Sequence, residues 1–272
     1  MPKYQEDVNG RGLDEDRETD THDERGRAGV AVGEEQRFVG GEGQAQHPPR
    51  RAHGIARRVG KYALLVLAGY YAVCILLMIV YRFVEPPITA VQLQRCFESW
   101  FSGRMCREQI KFVPYSRLPA VASRAVIAAE DGNFWRHWGF DFEQMVAAGG
   151  EALEGDIRGA STIDQQLMKN LFGCACRNPV RKVNDMVLTL PAELILGKRR
   201  ILELYLNNVE WGPQVFGIEA AAHHHYGVRA RNLSRTQAAG LAALLPNPQR
   251  RTPANTPQYR AEILRRMSVR GW

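Results

Sequence analysis

The stretch YALLVLAGYYAVCILLMIVY, Tyr62 to Tyr81, runs for 20 residues without a charge. At about 1.5 Å of rise per residue, a helix of that length covers the roughly 30 Å of hydrocarbon in a bilayer. A buried core helix is the weaker reading, because such helices are usually shorter and interrupted by polar positions. One transmembrane helix is therefore expected over 62–81. Arg50, Arg51, Arg57, Arg58 and Lys61 lie just before it, and Arg82 is the only basic residue in the dozen positions after it. Positive flanks stay inside, so the amino-terminal tail is expected in the cytoplasm and everything beyond Arg82 across the membrane. The run begins after 60 residues and lacks a small-x-small cleavage site, which favours a permanent anchor over a signal peptide.

The chain divides unevenly around this segment. Residues 1–61 carry 11 Lys plus Arg against 12 Asp plus Glu with no aliphatic periodicity, which reads as a disordered tail. Residues 82–272 hold 25 basic and 17 acidic side chains. That net positive charge, placed outside the membrane, argues against nucleic acid and toward anionic lipid or a phosphate-bearing substrate. Four cysteines, Cys96, Cys106, Cys174 and Cys176, lie in that oxidising compartment, an even number that suits two disulfides whose pairing stays open. Cys174 and Cys176, two residues apart, are poorly placed to bridge each other. A CxC without a second thiol or histidine pair at zinc spacing is weak evidence for metal. His223, His224 and His225 point about 100° apart on a helix and cannot converge on one ion.

Helical spacing dominates this part of the chain. VASRAVIAAE, STIDQQLMKNLF, RKVNDMVLTLPAELILG, RRILELYLNNV and RTQAAGLAALL place apolar residues near i, i+3 and i+4, and β-branched strand patterns are scarce. The fold class is mainly α. Pro191 is expected to kink or interrupt the third of these helices.

Three polar groupings exceed what packing requires. AVIAAEDGNFWRHWGFD sets Glu130 and Asp131 at the end of an apolar run, with Phe134 and His137 close behind. An apolar wall raises a carboxyl's affinity for its proton, as a general base near neutral pH needs. In GASTIDQQLMKNLF, Ser161 is expected to cap a helix with Asp164 three residues on, and Thr162, Gln165, Gln166 and Lys169 follow on one polar face. After CACRNP, Arg177, Arg181, Lys182 and Asp185 form a second cationic cluster of the type that holds phosphate oxygens. Each grouping taken alone also fits an ordinary solvated surface.

Taken together, EDGNFWRHWGFD, GASTIDQQLMKNLF, RKVND, KRRILELYLNNVEWG and AAGLAALLPNPQ occur in the order found in the peptidoglycan glycosyltransferases of family 51. The chain resembles in particular their monofunctional biosynthetic members, over about residues 108 to 268. No S-x-x-K or K-T-G pair follows, so a linked transpeptidase domain is not expected. The resemblance implies a lysozyme-like glycosyltransferase domain over 108–272 with a small membrane-proximal jaw, joined through a stalk at 82–107 to the helix at 62–81. It implies polymerisation of lipid II in the bacterial inner membrane, with the domain in the periplasm. The donor is a glycan on undecaprenyl diphosphate, transferred with inversion to the GlcNAc 4-hydroxyl of lipid II.

By resemblance, Glu130 is the base, and Gln166, Lys169, Arg177 and Lys182 contact the sugar phosphate and diphosphate. Asp131, Phe134, His137, Ser161, Thr162, Gln165 and Arg181 are expected to support substrate binding. No cofactor is required, although a divalent cation, Mg or Mn, is compatible with diphosphate chemistry, and other cell-wall synthesis proteins are expected partners. One position departs from the family. Its third motif reads R-K-x-x-E, and here the glutamate's place is taken by Asp185. The shorter acid would fall about 1.5 Å short, and a misplacement of about 1 Å can cost roughly a hundredfold in rate. Ala160 replaces a frequent glycine, and HHHYGV stands where tyrosine, an aromatic and lysine are common. Glu203 belongs to the fourth motif, which mainly builds the lobe. A weakened assembly scaffold and a lysozyme-like hydrolase are the competing functions, and the products made from lipid II separate all three.

Overall fold

The computed structural model describes residues 50–103, 111–146, 161–176 and 178–272. The first helix, α1 (Arg50–Tyr81), begins at Arg50 rather than at Tyr62. The basic segment before the apolar run contains Ala, Arg and Lys, which sustain a helix once one is nucleated. The part over Arg57–Tyr81 is long and apolar enough to cross a membrane, and only 11% of its most apolar window is buried within the protein. A core helix would be mostly covered, so the outward-facing Leu64, Leu65, Val66 and Leu76 suit lipid.

The end of α1 is docked on the domain. Cys74 and Met78 join the core, Arg200 Nε donates to the Tyr81 carbonyl at 2.8 Å, and Asn184 Nδ2 donates to Tyr70 Oη at 3.0 Å. In the following segment α2 (Ala90–Phe101), started by a Thr89/Gln92 capping box, lies against the domain. Gln94 Oε1 accepts from the Ala175 amide at 2.8 Å, and Arg95 Nε reaches Glu210 at 3.2 Å.

The rest is helical. α3 (Ala120–Glu130) is followed by a turn region and by α4, helical at residues 142–146. α5 (Ile163–Phe172), α6 (Pro179–Ile195) and α7 (Gly197–Asn208) come next. A small antiparallel hairpin, β1 (Glu210–Gly212) with β2 (Val215–Phe216), pairs Glu210 with Phe216 and Gly212 with Val215. Three helices close the chain: α8 (Ile218–Tyr226), α9 (Arg235–Ala242) and α10 (Pro257–Val269). Two layers matter for the site: α3 packs on α9 and α10, while α5 packs on α6 and α7. Leu167, Leu188, Ile201, Tyr205 and Trp211 fill the core.

Pro191 does not break α6, which runs on to Ile195. It lies one turn from the end, where only one backbone bond is forfeited before Gly197, at φ 73°, redirects the chain into α7. The opposite face of α6 exposes Val180, Val183, Val187, Leu190 and Leu194, an apolar stripe on the helix that α1 packs against. The CACRNP loop departs from expectation too. Cys174 and Cys176 are joined to each other, because the turn after α5 brings their Cα atoms to 5.2 Å, within bridging range. Cys96 is also disulfide-bonded. Cys106 lies outside the described residues.

Candidate active site

The carboxyl end of α3, the polar face of α5 and the first turns of α6 converge on a cavity of about 480 Å³. Glu130, Ser161, Gln165, Gln166, Lys169, Arg181, Lys182 and Asp185 line it, and Leu245, Pro246 and Tyr259 close the far wall. The spacing of α5 explains one side. Its N-cap is Thr162, whose Oγ1 accepts from the Gln165 amide, one residue later than the expected Ser161 cap. That shift frees Ser161 to face the cavity, where Gln165, Gln166 and Lys169 follow at helical intervals.

Glu130 is half-buried, and burial raises its hold on the proton, opposed by Gln166 and by the Lys169 and Arg251 charges. Gln166 Nε2 donates to Glu130 Oε2 at 2.7 Å. Burial, aided by Arg181, makes Lys169 a weaker base, and burial does the same to Lys182. Lys182 Nζ donates to Ser161 Oγ at 2.6 Å and to Gln165 Oε1 at 2.8 Å, which ties α6 to α5. Arg181 is held from two sides. Its Nε donates to the Cys176 carbonyl at 2.8 Å, and Nη1 pairs with Asp185 Oδ2. Asp185 Oδ1 is buried with no hydrogen-bond partner. Burial outweighs the neighbouring cations and lifts the Asp185 carboxyl to about 6. Gly173 allows this approach, since a Cβ there would stand 2.9 Å from the Lys169 carbonyl oxygen and 3.2 Å from Asp185 Oδ1.

Four residues expected at the substrate lie behind this wall. Asp131 is buried, accepts from the Ile163 amide at 3.0 Å and pairs with His137 Nε2 at 2.9 Å. Phe134 is wholly buried, and the Lys198 ammonium sits 4.3 Å from its ring centroid. Thr162 donates to the Gly139 carbonyl at 2.7 Å. Asp131, Phe134, His137 and Thr162 therefore pin the turn after α3 to the start of α5. Arg177 lies outside the described residues.

Lys198 completes this second cluster. Its Nζ lies 3.2 Å from Asp164 Oδ2, 2.5 Å from Glu193 Oε1 and 3.4 Å from His137 Nδ1. Burial, with Glu193 alongside, lifts Asp164 to about 7 against the pull of Lys198. Among the described residues, Asp131, His137 and Asp164 form the one grouping with metal-ligand proximity. Lys198 already supplies its positive charge, so these residues do not fit a cation. Nothing in the sequence singles out Lys198, because a lysine opening a helix reads as solvated. Nor does it single out Tyr205, because an aromatic on an apolar face reads as core. Glu203 does not line the cavity. It accepts from the Tyr115 amide and pairs with Arg200, building the lobe.

A base facing a group of cations across a cavity suits transfer chemistry with an anionic leaving group. The stretch that builds this cavity is similar to known proteins. The transglycosylase family model matches residues 100–269. The chain is 46% identical over 194 residues to a biosynthetic peptidoglycan transglycosylase of Pseudomonas fluorescens, covering 71% of this chain and 81% of that protein. A protein of the same description from Chromohalobacter salexigens is 45% identical over 204 residues, covering 75% and 87%. One from Pseudomonas putida is 42% identical over 222 residues, covering 80% and 92%. A match of this extent, over the stretch that builds both the lobe and the cavity, makes the chain a member of the transglycosylase family.

Proposed function

We propose that the chain is a peptidoglycan glycosyltransferase that polymerises lipid II into glycan strands. Membership of the transglycosylase family supports the reaction class. The observation that carries the reading is the single cavity in which Glu130 faces Lys169, Arg181 and Lys182. Glu130 accepts the proton of the GlcNAc 4-hydroxyl as its oxygen bonds to the donor's anomeric carbon. The bond from that carbon to the diphosphate oxygen breaks with inversion, and the electron pair leaves on the diphosphate. Lys169, Arg181 and Lys182 hold the charge that develops there. Arg177 adds to this set by resemblance.

Asp185 holds Arg181 toward the diphosphate and is the second carboxylate of the reaction. A Mg or Mn ion would offset charge on the departing diphosphate, and Asp185, which with Glu130 supplies the acids lining the cavity, is the residue that would hold it. The lipid tail of the substrate requires a bilayer beside the cavity. The outward-facing α1 and the apolar stripe of α6 support that placement, and the basic residues in the first turns of α1, ahead of its apolar run, support a cytoplasmic amino terminus with the domain in the periplasm.

The weakened-scaffold reading keeps one observation in its favour, the engagement of the short Asp185 with Arg181. Incubation of the full chain with lipid II and Mg²⁺, followed by electrophoresis of the glycan, decides between them. Polymer is expected. Binding without polymer would overturn the synthase in favour of the scaffold, and cleavage of preformed glycan would mark a hydrolase.

A further inference from the structure

Gln166 is engaged at both ends. Nε2 donates to Glu130 Oε2 at 2.7 Å, and Oε1 accepts from the Tyr205 hydroxyl at 2.8 Å. We propose that Tyr205 is a positioning residue of the glycosyltransferase reaction, which holds the Gln166 amide with its N–H rather than its carbonyl against the base. The inference rests on Glu130 being that base.

The two ends of an amide match in shape and are opposite in chemistry. With the amide as it stands, an ionised Glu130 receives a proton donor. Turned over, the amide presents its carbonyl to Glu130, which is tolerable only while Glu130 holds a proton. The turned amide would donate to the Tyr205 oxygen. The phenol hydrogen would then need another acceptor, and among the described residues Gln166 Oε1 is the one acceptor it has. Tyr205 is wholly buried, so water offers no substitute. The phenol therefore biases the relay toward the state that accepts a proton from substrate.

The other groups facing Glu130 set the background. Lys169 from α5 and Arg251 after α9 favour its charged form, while its neighbour Asp131 opposes it. Tyr259 from α10 and Tyr205 from α7 stay neutral, their phenols pushed up chiefly by burial. Of these, Tyr205 alone contacts Gln166 Oε1, and at the other end of the amide Nε2 also donates to the Ser161 carbonyl at 3.5 Å, a longer contact that favours the same orientation.

The test uses Tyr205→Phe, Gln166→Leu and the double variant in the detergent-solubilised full chain. Two quantities are read: the Glu130 carboxyl titration by ¹³C NMR, and the pH profile of lipid II polymerisation. Tyr205→Phe should raise the Glu130 midpoint, and with it the acid limb of activity, by about one pH unit. Rates should fall about tenfold below that limb and stay near parental well above it. Gln166→Leu, which leaves the phenol in place, should shift the midpoint at least as far, and the double variant should shift it no further than Gln166→Leu alone. An unmoved Glu130 midpoint in Tyr205→Phe, or shifts that add in the double variant, would overturn the inference. The NMR titration reads the relay whether or not the chain polymerises lipid II, so failure of the relay and failure of the synthase reading are distinguishable.

Discussion

Two charged clusters share helices α5 and α6 and differ in how completely their charges are paired and in whether they face open space. Around the cavity, Glu130, Lys169, Lys182 and Asp185 stand with incomplete pairing, the protonation of each displaced from its ordinary range chiefly by burial. Behind it, Asp131, His137, Asp164, Glu193 and Lys198 are closed on one another, with side chains almost out of solvent. Groups held against their preferred charge beside open space can act on a substrate. Groups already paired in the interior hold helices in register, and breaking one pair exposes the other charge to an environment that cannot solvate it.

The largest effect should come from removing the cation of each cluster in turn. Lys198→Met leaves Asp164 and Glu193 without their counter-ion and should lower stability by about 3–5 kcal/mol, a melting shift on the order of 10 °C. Lys169→Met should leave the melting temperature unchanged or slightly raised, since a desolvated ammonium is lost, while polymerisation falls by roughly a hundredfold. Thermal unfolding and glycan electrophoresis on the same samples read both. If the two variants melt alike, the division between the clusters is wrong.

Adjacent acids sharpen the comparison further. Glu130→Gln keeps the shape but cannot take the acceptor's proton, so turnover should fall about a hundredfold or more with the fold intact. Asp131→Asn weakens the tie to the Ile163 amide and His137 and should lower stability by about 1–3 kcal/mol, with a smaller loss of rate. Equal rate losses at both positions would remove the distinction.

That distinction comes from the family resemblance, which makes Glu130 the base and Asp131 a supporting residue, and not from the local pattern. Glu130 and Asp131 are neighbours on a helix end, and which faces the cavity depends on where α3 stops and how the start of α5 meets it. The cavity set of Glu130, Gln166, Lys169 and Lys182 was legible because helical spacing puts those residues on shared faces and because the motifs occur in family order. The clamp was not, since Lys198 lies over thirty positions from Asp164 and over sixty from His137 and joins them only through packing. Local geometry misled in smaller ways. The cap moved from Ser161 to Thr162, the CxC closed on itself, and α2 folded onto the domain through Gln94 and Arg95, whose partners no local pattern announces.

Asp185 lies on the border between the clusters, being both paired and at the cavity. Its Oδ1 already approaches the space a Cβ at Gly173 would fill, so Asp185→Glu should crowd this corner and leave turnover equal or lower by a few-fold. Asp185→Asn should release Arg181 and lower turnover by about tenfold. A gain in Asp185→Glu approaching a hundredfold would mean that the parent acid falls short and that the scaffold reading is correct. Steady-state polymerisation rates at saturating lipid II separate these outcomes.

The smallest effect concerns the pH dependence of stability, and it comes from the closed cluster. Asp164 has an ordinary value of 3.8 and is lifted to about 7 in the fold, so between those limits the folded chain keeps a proton that the unfolded chain gives up. Stability therefore falls as pH rises through that window. Asp185, lifted to about 6, and Glu130, also raised, slope the same way. Asp164→Asn imitates the protonated acid: its carbonyl can accept from Lys198 and its amide can donate to Glu193. Since that side chain does not titrate, its share of the slope disappears while the Asp185 and Glu130 shares remain. The melting temperature of the variant should thus decline less than the parent's between pH 5 and pH 8, with the gap between the two curves reaching a few degrees, on the order set by a one- to two-kcal/mol change in a domain of this size. Parallel melting curves across that range would show that Asp164 is ionised throughout, and that the Lys198 cluster is a fully charged network rather than one that shares a proton.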